Sequence, residues 1–285
     1  MTAPAASRLV TLGTKGGPSI RARGAMPTAS LLELDGHRMV IDCGLGVTCG
    51  LVQAGVALRD LATVFITHLH SDHVLELGPL IHTAWCGGLA SPVDIHGPPG
   101  TLGYWQGFMA SMAYDIHLRV VDDGRVPLDA LVRVHEVDAG PLTFAGLGVT
   151  ALRVQHPPVD CALAFRFDGT KSVTFSGDTT YFPPLADFAK GSDVLVHEAM
   201  LTTGIDAILL KTGGGEKLRA HLNASHTRAE DAGRIAARAG VGRLVLNHLV
   251  PVDDPRFSPD DWLRAVAATF DGPASVAHDG WELAL

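Results

Sequence analysis

Thr67-His68-Leu69-His70-Ser71-Asp72-His73 is the stretch on which the reading of this sequence turns. It follows a β-branched, apolar run at 63–67 and precedes a helix-like stretch that begins at Val74. His68 and His70 stand two apart, so in an extended chain their side chains project to one side. Asp72 and His73 follow where the chain must turn. Four metal-ligand side chains within six residues, at a strand end, are enough to feed two adjacent metal ions. Imidazole and carboxylate suit zinc, with manganese or iron as alternatives. A structural role is easy to imagine for any one of these residues, but not for all four at this spacing.

Working outward, short runs rich in Val, Ile and Leu recur between Gly, Pro and Asp. Strands are expected at 30–34 and 38–42, joined by a turn at Asp35-Gly36. Others are expected at 63–67, 93–96, 147–154, 162–167, 172–176, 194–197, 243–247 and near 281–285. Helices are expected at 102–113, 227–239 and 260–270. The second opens on Thr227-Arg228-Ala229-Glu230, which has the form of a capping box, and stops at Gly240. Strands come in runs early and alternate with helices later, with no low-complexity linker. One α/β (α+β) domain over residues 1–285, with packed sheets and outer helices, is the expected architecture. Three more ligand-type residues fall just after expected strands, where such sheets keep their sites: His156, Asp178 and His248.

Composition narrows the function classes. The 285 residues are 47% hydrophobic and only 18% charged, with a net charge of −8. An acidic surface repels polyanions, and there is no run of Lys or Arg, so a long nucleic acid is not an expected partner. The four cysteines form no CxxC pair and read as reduced thiols, a Cys43–Cys49 bridge being the weaker alternative. Residues 1–10 lack the charged start and apolar run of a secretory leader. No apolar stretch is long enough to span a bilayer. The cytoplasm is the expected location. The excess is in histidine, with 14 residues.

Taken in order, His68-x-His70-x-Asp72-His73, His156, Asp178 and His248 resemble the metallo-β-lactamase superfamily. The likeness is nearer to its ribonuclease Z and arylsulfatase-like branch. Leu12-Gly13-Thr14, Ile41-Asp42-Cys43-Gly44, His197-Glu198-Ala199, Ser225-His226-Thr227 and Asn247-His248 resemble that branch's further motifs. The resemblance implies a four-layer αββα sandwich with a binuclear zinc centre at one edge, and carries an expectation of a homodimer. It implies that His68, His70 and His156 hold one ion, that Asp72, His73 and His248 hold the other, and that Asp178 and a water or hydroxide bridge them. Two such ions lower the pKa of the shared water and clamp attacking and leaving oxygens. Asp72 thus stands with the catalytic group. Asp42 is expected to orient a ligand histidine through its far ring nitrogen. His226 is expected to protonate the leaving group, with Glu198 beside it keeping the imidazole charged. His197 reads as structural, as do His37, His82, His96, His117, His135 and His278, and His221 as a candidate for the pocket lining.

The expected substrate follows from a departure. The ribonuclease Z pattern implies an RNA-gripping arm between the third histidine motif and the bridging Asp, yet His156 and Asp178 are 22 positions apart, filled by a strand pair. A small-molecule ester is therefore the leading expectation: a phosphodiester, sulfate ester, carboxylic ester or lactone. The alternatives are tRNA 3′ processing, β-lactam hydrolysis and a non-catalytic metal sensor. Trp85, Tyr104, Trp105, Phe108, Met109 and Phe182 are expected as pocket walls, and 205–223, around Gly213-Gly214-Gly215, as a flap.

Overall fold

A strand that is apolar on both faces needs a layer on each side, and most strands of this chain are of that kind. The computed structural model describes residues 7–144 and 146–285; the first six, part of the stretch read for a leader, lie outside them. One sheet comprises β1 (Arg8–Gly13), β2 (Ala29–Leu34), β3 (His37–Ile41), β4 (Thr63–Phe65), β5 (Val93–Gly97) and β6 (Val132–Glu136). The other comprises β7 (Gly140–Leu142), β8 (Gly148–Val154), β9 (Ala162–Asp168), β10 (Ser172–Phe175), β11 (Val194–Met200), β12 (Leu244–Val250) and β13 (Ala274–Val276). The last strand, β14 (Glu282–Ala284), returns to the first sheet beside β1. The orders are β14-β1-β2-β3-β4-β5-β6 and β13-β12-β11-β10-β9-β8-β7. In each sheet one half is antiparallel and the other, β3–β6 or β10–β13, is parallel.

Alternation along the strands sets the layers. Leu32 and Leu34 of β2 face the core between the sheets, with Phe65, Phe165 and Phe167, whereas Leu31 turns outward. In β12, Val245 points inward, and Leu244 and Leu246 point outward. The helices are α1 (Val47–Gln53), α2 (Ser71–Val74), α3 (Leu77–Cys86), α4 (Thr101–Ser111), α5 (Ala113–Val121), α6 (Pro184–Phe188), α7 (Ile205–Thr212), α8 (Glu216–Ser225), α9 (Ala229–Ala239) and α10 (Pro259–Ala267). The first five supply the outer cluster on the first sheet, with Leu51, Val74, Leu80, Trp105 and Ile116. Side chains from α6, α9 and α10 cover the second. The result is the expected αββα sandwich. No helix among the described residues is long and apolar enough to cross a membrane, and all four cysteines are free thiols.

Local signals were realised unevenly. Asp35 and Gly36 both take positive φ (52° and 82°) with Leu34 paired to His37, the two-residue hairpin their identities favour. The helix expected at 102–113 breaks at Met112 into α4 and α5. The capping box expected at Thr227 does not form: α9 starts later in the chain, behind Arg228, and the Thr227 hydroxyl donates to the Thr179 carbonyl at 2.6 Å. The working capping box is Ser258 with Asp261, at the start of α10.

Candidate metal centre and its cavity

The site lies where strands of both sheets end. The chain leaving β4 carries His68 and His70 and then α2, with Asp72 and His73. β8 leads to His156, β10 to Asp178, and β12 carries His248 itself. Two of these ends are bent. Glu198 pairs with Asn247 and Ala199 with Leu249, so His248 is the extra residue of a bulge, at φ 43°. Asp42, just past β3, sits at φ 62°. Non-glycine residues rarely adopt this region, and it concentrates at functional sites. Gly177, at φ 58°, precedes Asp178; a Cβ there would lie 2.5 Å from the Leu163 carbonyl oxygen.

These ends bring all seven expected ligands together. His68, His70 and His156 form one group and Asp72, His73 and His248 another, with the ligand atoms of each within 4.8 Å of one another. Asp178 Oδ2 stands between them, 3.8 Å from His68 Nε2 and His156 Nε2, 3.3 Å from His73 Nε2 and 3.0 Å from His248 Nε2. Hydrogen bonds on the far sides fix which nitrogens face inward. His73 Nδ1 donates to Asp42 at 2.8 Å, and His156 Nδ1 donates to the Ser225 carbonyl at 2.8 Å. The Thr67 hydroxyl donates to Asp42, so its oxygen accepts from His68 Nδ1 at 3.1 Å. Asp72 is held by the Gly17 amide at 2.7 Å. His68 Nε2 and His73 Nε2 are then buried without a hydrogen bond, which buried polar atoms avoid. Orphaned imidazole nitrogens converging on carboxylates are what a zinc-type cation needs, so the residues fit such an ion.

Electrostatics divides the cluster. Burial, with His73 adding to it, drives His68 well below its ordinary pKa, and burial likewise lowers His70 and His156, so these three offer lone pairs. Burial also works against charge on His73 and His248, but Asp178 and the other carboxylates outweigh it, raising His73 and bringing His248 to about 10. Burial would raise Asp178; His248 and His73 instead hold it well below the carboxylate range. In the second group the histidines are thus paired with carboxylates, Asp178 being within 3.3 Å of His73 and 3.0 Å of His248.

Beside the cluster, His226 Nδ1 donates to Glu198 at 2.9 Å, and Glu198 also accepts from the Thr179 amide at 2.6 Å. The His226 ring stacks on His248, 5.4 Å between centres. Burial lowers its pKa, but Glu198 prevails and raises it. His226 comes within range of His156 and of Asp178 with His248 as well, but its Nδ1 is committed to Glu198. His197 is apart: buried, bonded to the Glu198 carbonyl, and lowered by burial to about 4.

His70, Asp72, Asp178, His226 and His248 line one end of a cavity of about 440 Å³. Its other walls are Ile208, Leu218 and Leu222 of the α7–α8 hairpin, Val250–Asp253, and the loop from Lys15 to Arg21. The aromatic walls expected from the sequence are elsewhere. Trp85 and Trp105 are buried in the first sheet's outer cluster, with Tyr104, Phe108 and Met109 packed on it, and Phe182 packs on the second sheet's cluster. Their bulk fills helix–sheet layers rather than the site. The 205–223 stretch is two helices, not a loop, and does wall the cavity. Sequence reasoning overlooked Thr67 and Ser225, which fix histidine tautomers, and Lys15, Arg21 and Lys211 at the rim.

The Beta-lactamase superfamily domain matches residues 37–249. A ribonuclease Z of Mycobacterium sp. (strain KMS) is 36% identical over 274 residues, covering 95% of this chain and 93% of that protein. Among solved structures, the metallo-beta-lactamase fold protein YhfI from Bacillus subtilis superposes with a TM-score of 0.73 at 22% identity, over 98% of this chain and 99% of its own. Human tRNase Z, short form, gives 0.68 at 20% identity, over 97% and 98%. The two structural likenesses bear on the fold alone.

Proposed function

The chain belongs to the metallo-β-lactamase superfamily and is a metal-dependent hydrolase, and from that premise we propose that it cleaves an RNA phosphodiester in the manner of a ribonuclease Z, with the 3′ ends of tRNA precursors as the leading substrate. The observation that carries this reading is the His226–Glu198 pair, 2.9 Å apart, with His226 lining the cavity beside the ligand cluster and Glu198 behind it. An imidazole held protonated by a buried carboxylate can give its proton to a departing ribose 3′ oxygen. An activated ester, whose leaving group departs as a stable anion, has less need of such a donor. Two zinc ions, one on His68, His70 and His156, the other on Asp72, His73 and His248, with Asp178 between, would supply Lewis acidity and lower the pKa of a water. Around them, Asp42, Thr67 and Ser225 hold the ligand rings, the Gly17 amide holds Asp72, and Glu198 holds His226. Arg21 lines the cavity and makes no side-chain hydrogen bond or ion pair among the described residues, leaving it available to a phosphate.

This reading reverses the order expected from composition. The acidic charge and the missing arm favoured a small ester over nucleic acid. β9 and β10 do fill the space with a short turn, but a relative named ribonuclease Z aligns almost end to end, so no arm-sized segment separates the two chains. One observation still favours a small phosphodiester or other ester as a second reading: a cavity of about 440 Å³ with apolar walls suits a compact ligand. The test is to load the protein with zinc and compare a tRNA precursor bearing a 3′ trailer with bis(p-nitrophenyl) phosphate and a lactone. Chelator-sensitive cutting at the trailer junction supports the ribonuclease reading. Turnover of the small esters with the precursor left intact overturns it.

A further inference from the structure

The α7–α8 hairpin turns three polar side chains to the cavity: Lys211, Thr212 and His221. Two are committed within the protein. Lys211 donates to the Asp253 carbonyl at 2.9 Å and pairs with Asp254 at 3.6 Å. The Thr212 hydroxyl donates to the Ile208 carbonyl at 2.8 Å and accepts from the Gly214 amide. His221 differs. The Ser225 hydroxyl donates to the Pro157 carbonyl, so its oxygen can only accept from His221 Nδ1, 3.2 Å away. That places the ring proton on Nδ1 and leaves Nε2, which has no partner among the described residues, as an acceptor. His221 belongs to none of the groups of converging ligand atoms. Its ring centre lies 6.0 Å from that of His226.

We propose that His221 determines specificity by accepting a hydrogen bond from the hydroxyl vicinal to the departing oxygen, the ribose 2′-OH. The assignment rests on the ribonuclease reading, with His226 giving its proton to the 3′ oxygen. Two rings 6.0 Å apart can each reach one of two neighbouring hydroxyl oxygens through hydrogen bonds of roughly 2.7–3.0 Å. The hairpin's remaining contacts, Ile208, Leu218 and Leu222, offer no side-chain acceptor, so a deoxyribose would leave the half-buried His221 without this partner and forfeit that hydrogen bond. The 2′-OH is also the group that marks RNA against DNA.

The experiment uses zinc-loaded protein and two tRNA precursors that differ only in carrying ribose or 2′-deoxyribose at the nucleoside whose 3′ oxygen departs. Intrinsic reactivity differs between them, so the quantity of interest is how the ribose-to-deoxyribose ratio of kcat/KM changes between wild type and variants. His221→Phe is expected to lower that ratio on the order of ten-fold, and His221→Gln to restore much of it. Ser225→Ala, which frees Nδ1 while keeping the carbonyl that His156 uses, is expected to lower it by a smaller factor and serves if His221→Phe does not fold. Fluorescence anisotropy with the cleaved products, ending in ribose or deoxyribose, is expected to show the same change in the ratio of Kd values. Ratios that all variants leave at the wild-type value, in cleavage and in binding, overturn the His221 assignment alone. Failure of the wild type to cut either precursor overturns the ribonuclease reading and this assignment with it.

Discussion

The inner wall of the cavity is made of strand ends, and the outer wall is a helical hairpin. On the inner side, His68, His73, His156, Asp178 and His248 are all at most 3% exposed, the rings of His68, His73 and His156 are fixed from behind by hydrogen bonds, and the backbone of His248 is set by a bulge. On the outer side, α7 and α8 rest on a small cluster of their own, Met200, Ile205, Leu209, Leu222 and Val250, tied down by Lys211. The inner wall is inseparable from the main cores. In the proposed reading the ion-holding chemistry is placed on the inner wall and selectivity on the outer, with His226, the residue that caps the C-terminus of α8, joining the two.

The comparison can be broken most forcefully at His226. His226→Ala is expected to lower kcat on a tRNA precursor by roughly 10²–10⁴-fold, with a much smaller loss on bis(p-nitrophenyl) phosphate, whose leaving group needs no proton; equal losses on both would remove the general-acid role. Next comes Asp42→Ala, which touches no substrate but frees His73 Nδ1 and Thr67. Zinc affinity, read by competition with a chelating dye, is expected to fall about 10–100-fold. Unchanged affinity would mean that the far-side hydrogen bonds do not set the inner wall.

Two smaller effects sharpen the contrast. His96, in the sheet whose β4 leads into the inner wall, is stacked between Phe65 and His135. Burial, helped by His135 and opposed by Asp94, lowers it to about 4. Its folded pKa thus lies below its unfolded value, near 6.5. Between those values the unfolded chain takes up a proton that the native state refuses, so stability falls as pH drops from about 6.5 to 4. In urea melts, His96→Phe is expected to lose less than wild type over that window, by at most about 1.4 kcal/mol per pH unit. Parallel pH curves would contradict the cause given. On the outer wall, Lys211→Ala removes a partly exposed tether, worth about 0–1 kcal/mol of stability. It is expected to raise KM with little change in kcat, and a fall in kcat with KM unchanged would place the hairpin in the chemistry.

The inner wall was legible because its residues are unusual at their spacing. Ligand-type side chains just past β-branched runs seldom serve packing alone, and all seven converge. The layers were legible too, since strands apolar on both faces demand cover on both. The outer wall was legible in its place, with 205–223 and His221 expected at the site, but not in its form. Gly213-Gly214-Gly215 reads as loop, whereas Gly213 takes the left-handed conformation that ends α7 and the other two bridge to α8. Thr227 carried a valid cap signal but spends its hydroxyl on Thr179, a tertiary acceptor, rather than on the helix amides. Trp85 and Trp105 carry no mark in sequence that separates a core aromatic from a pocket aromatic.

The central claim is that the inner wall is a two-ion centre organised around Asp178. Its most direct test is a zinc titration of metal-stripped protein by calorimetry, with the Asp178→Asn variant beside it. Two tightly bound zinc ions per wild-type chain, falling to one or none in the variant, is the predicted result. A wild type that binds a single ion, or a variant that still binds two as tightly, would contradict it.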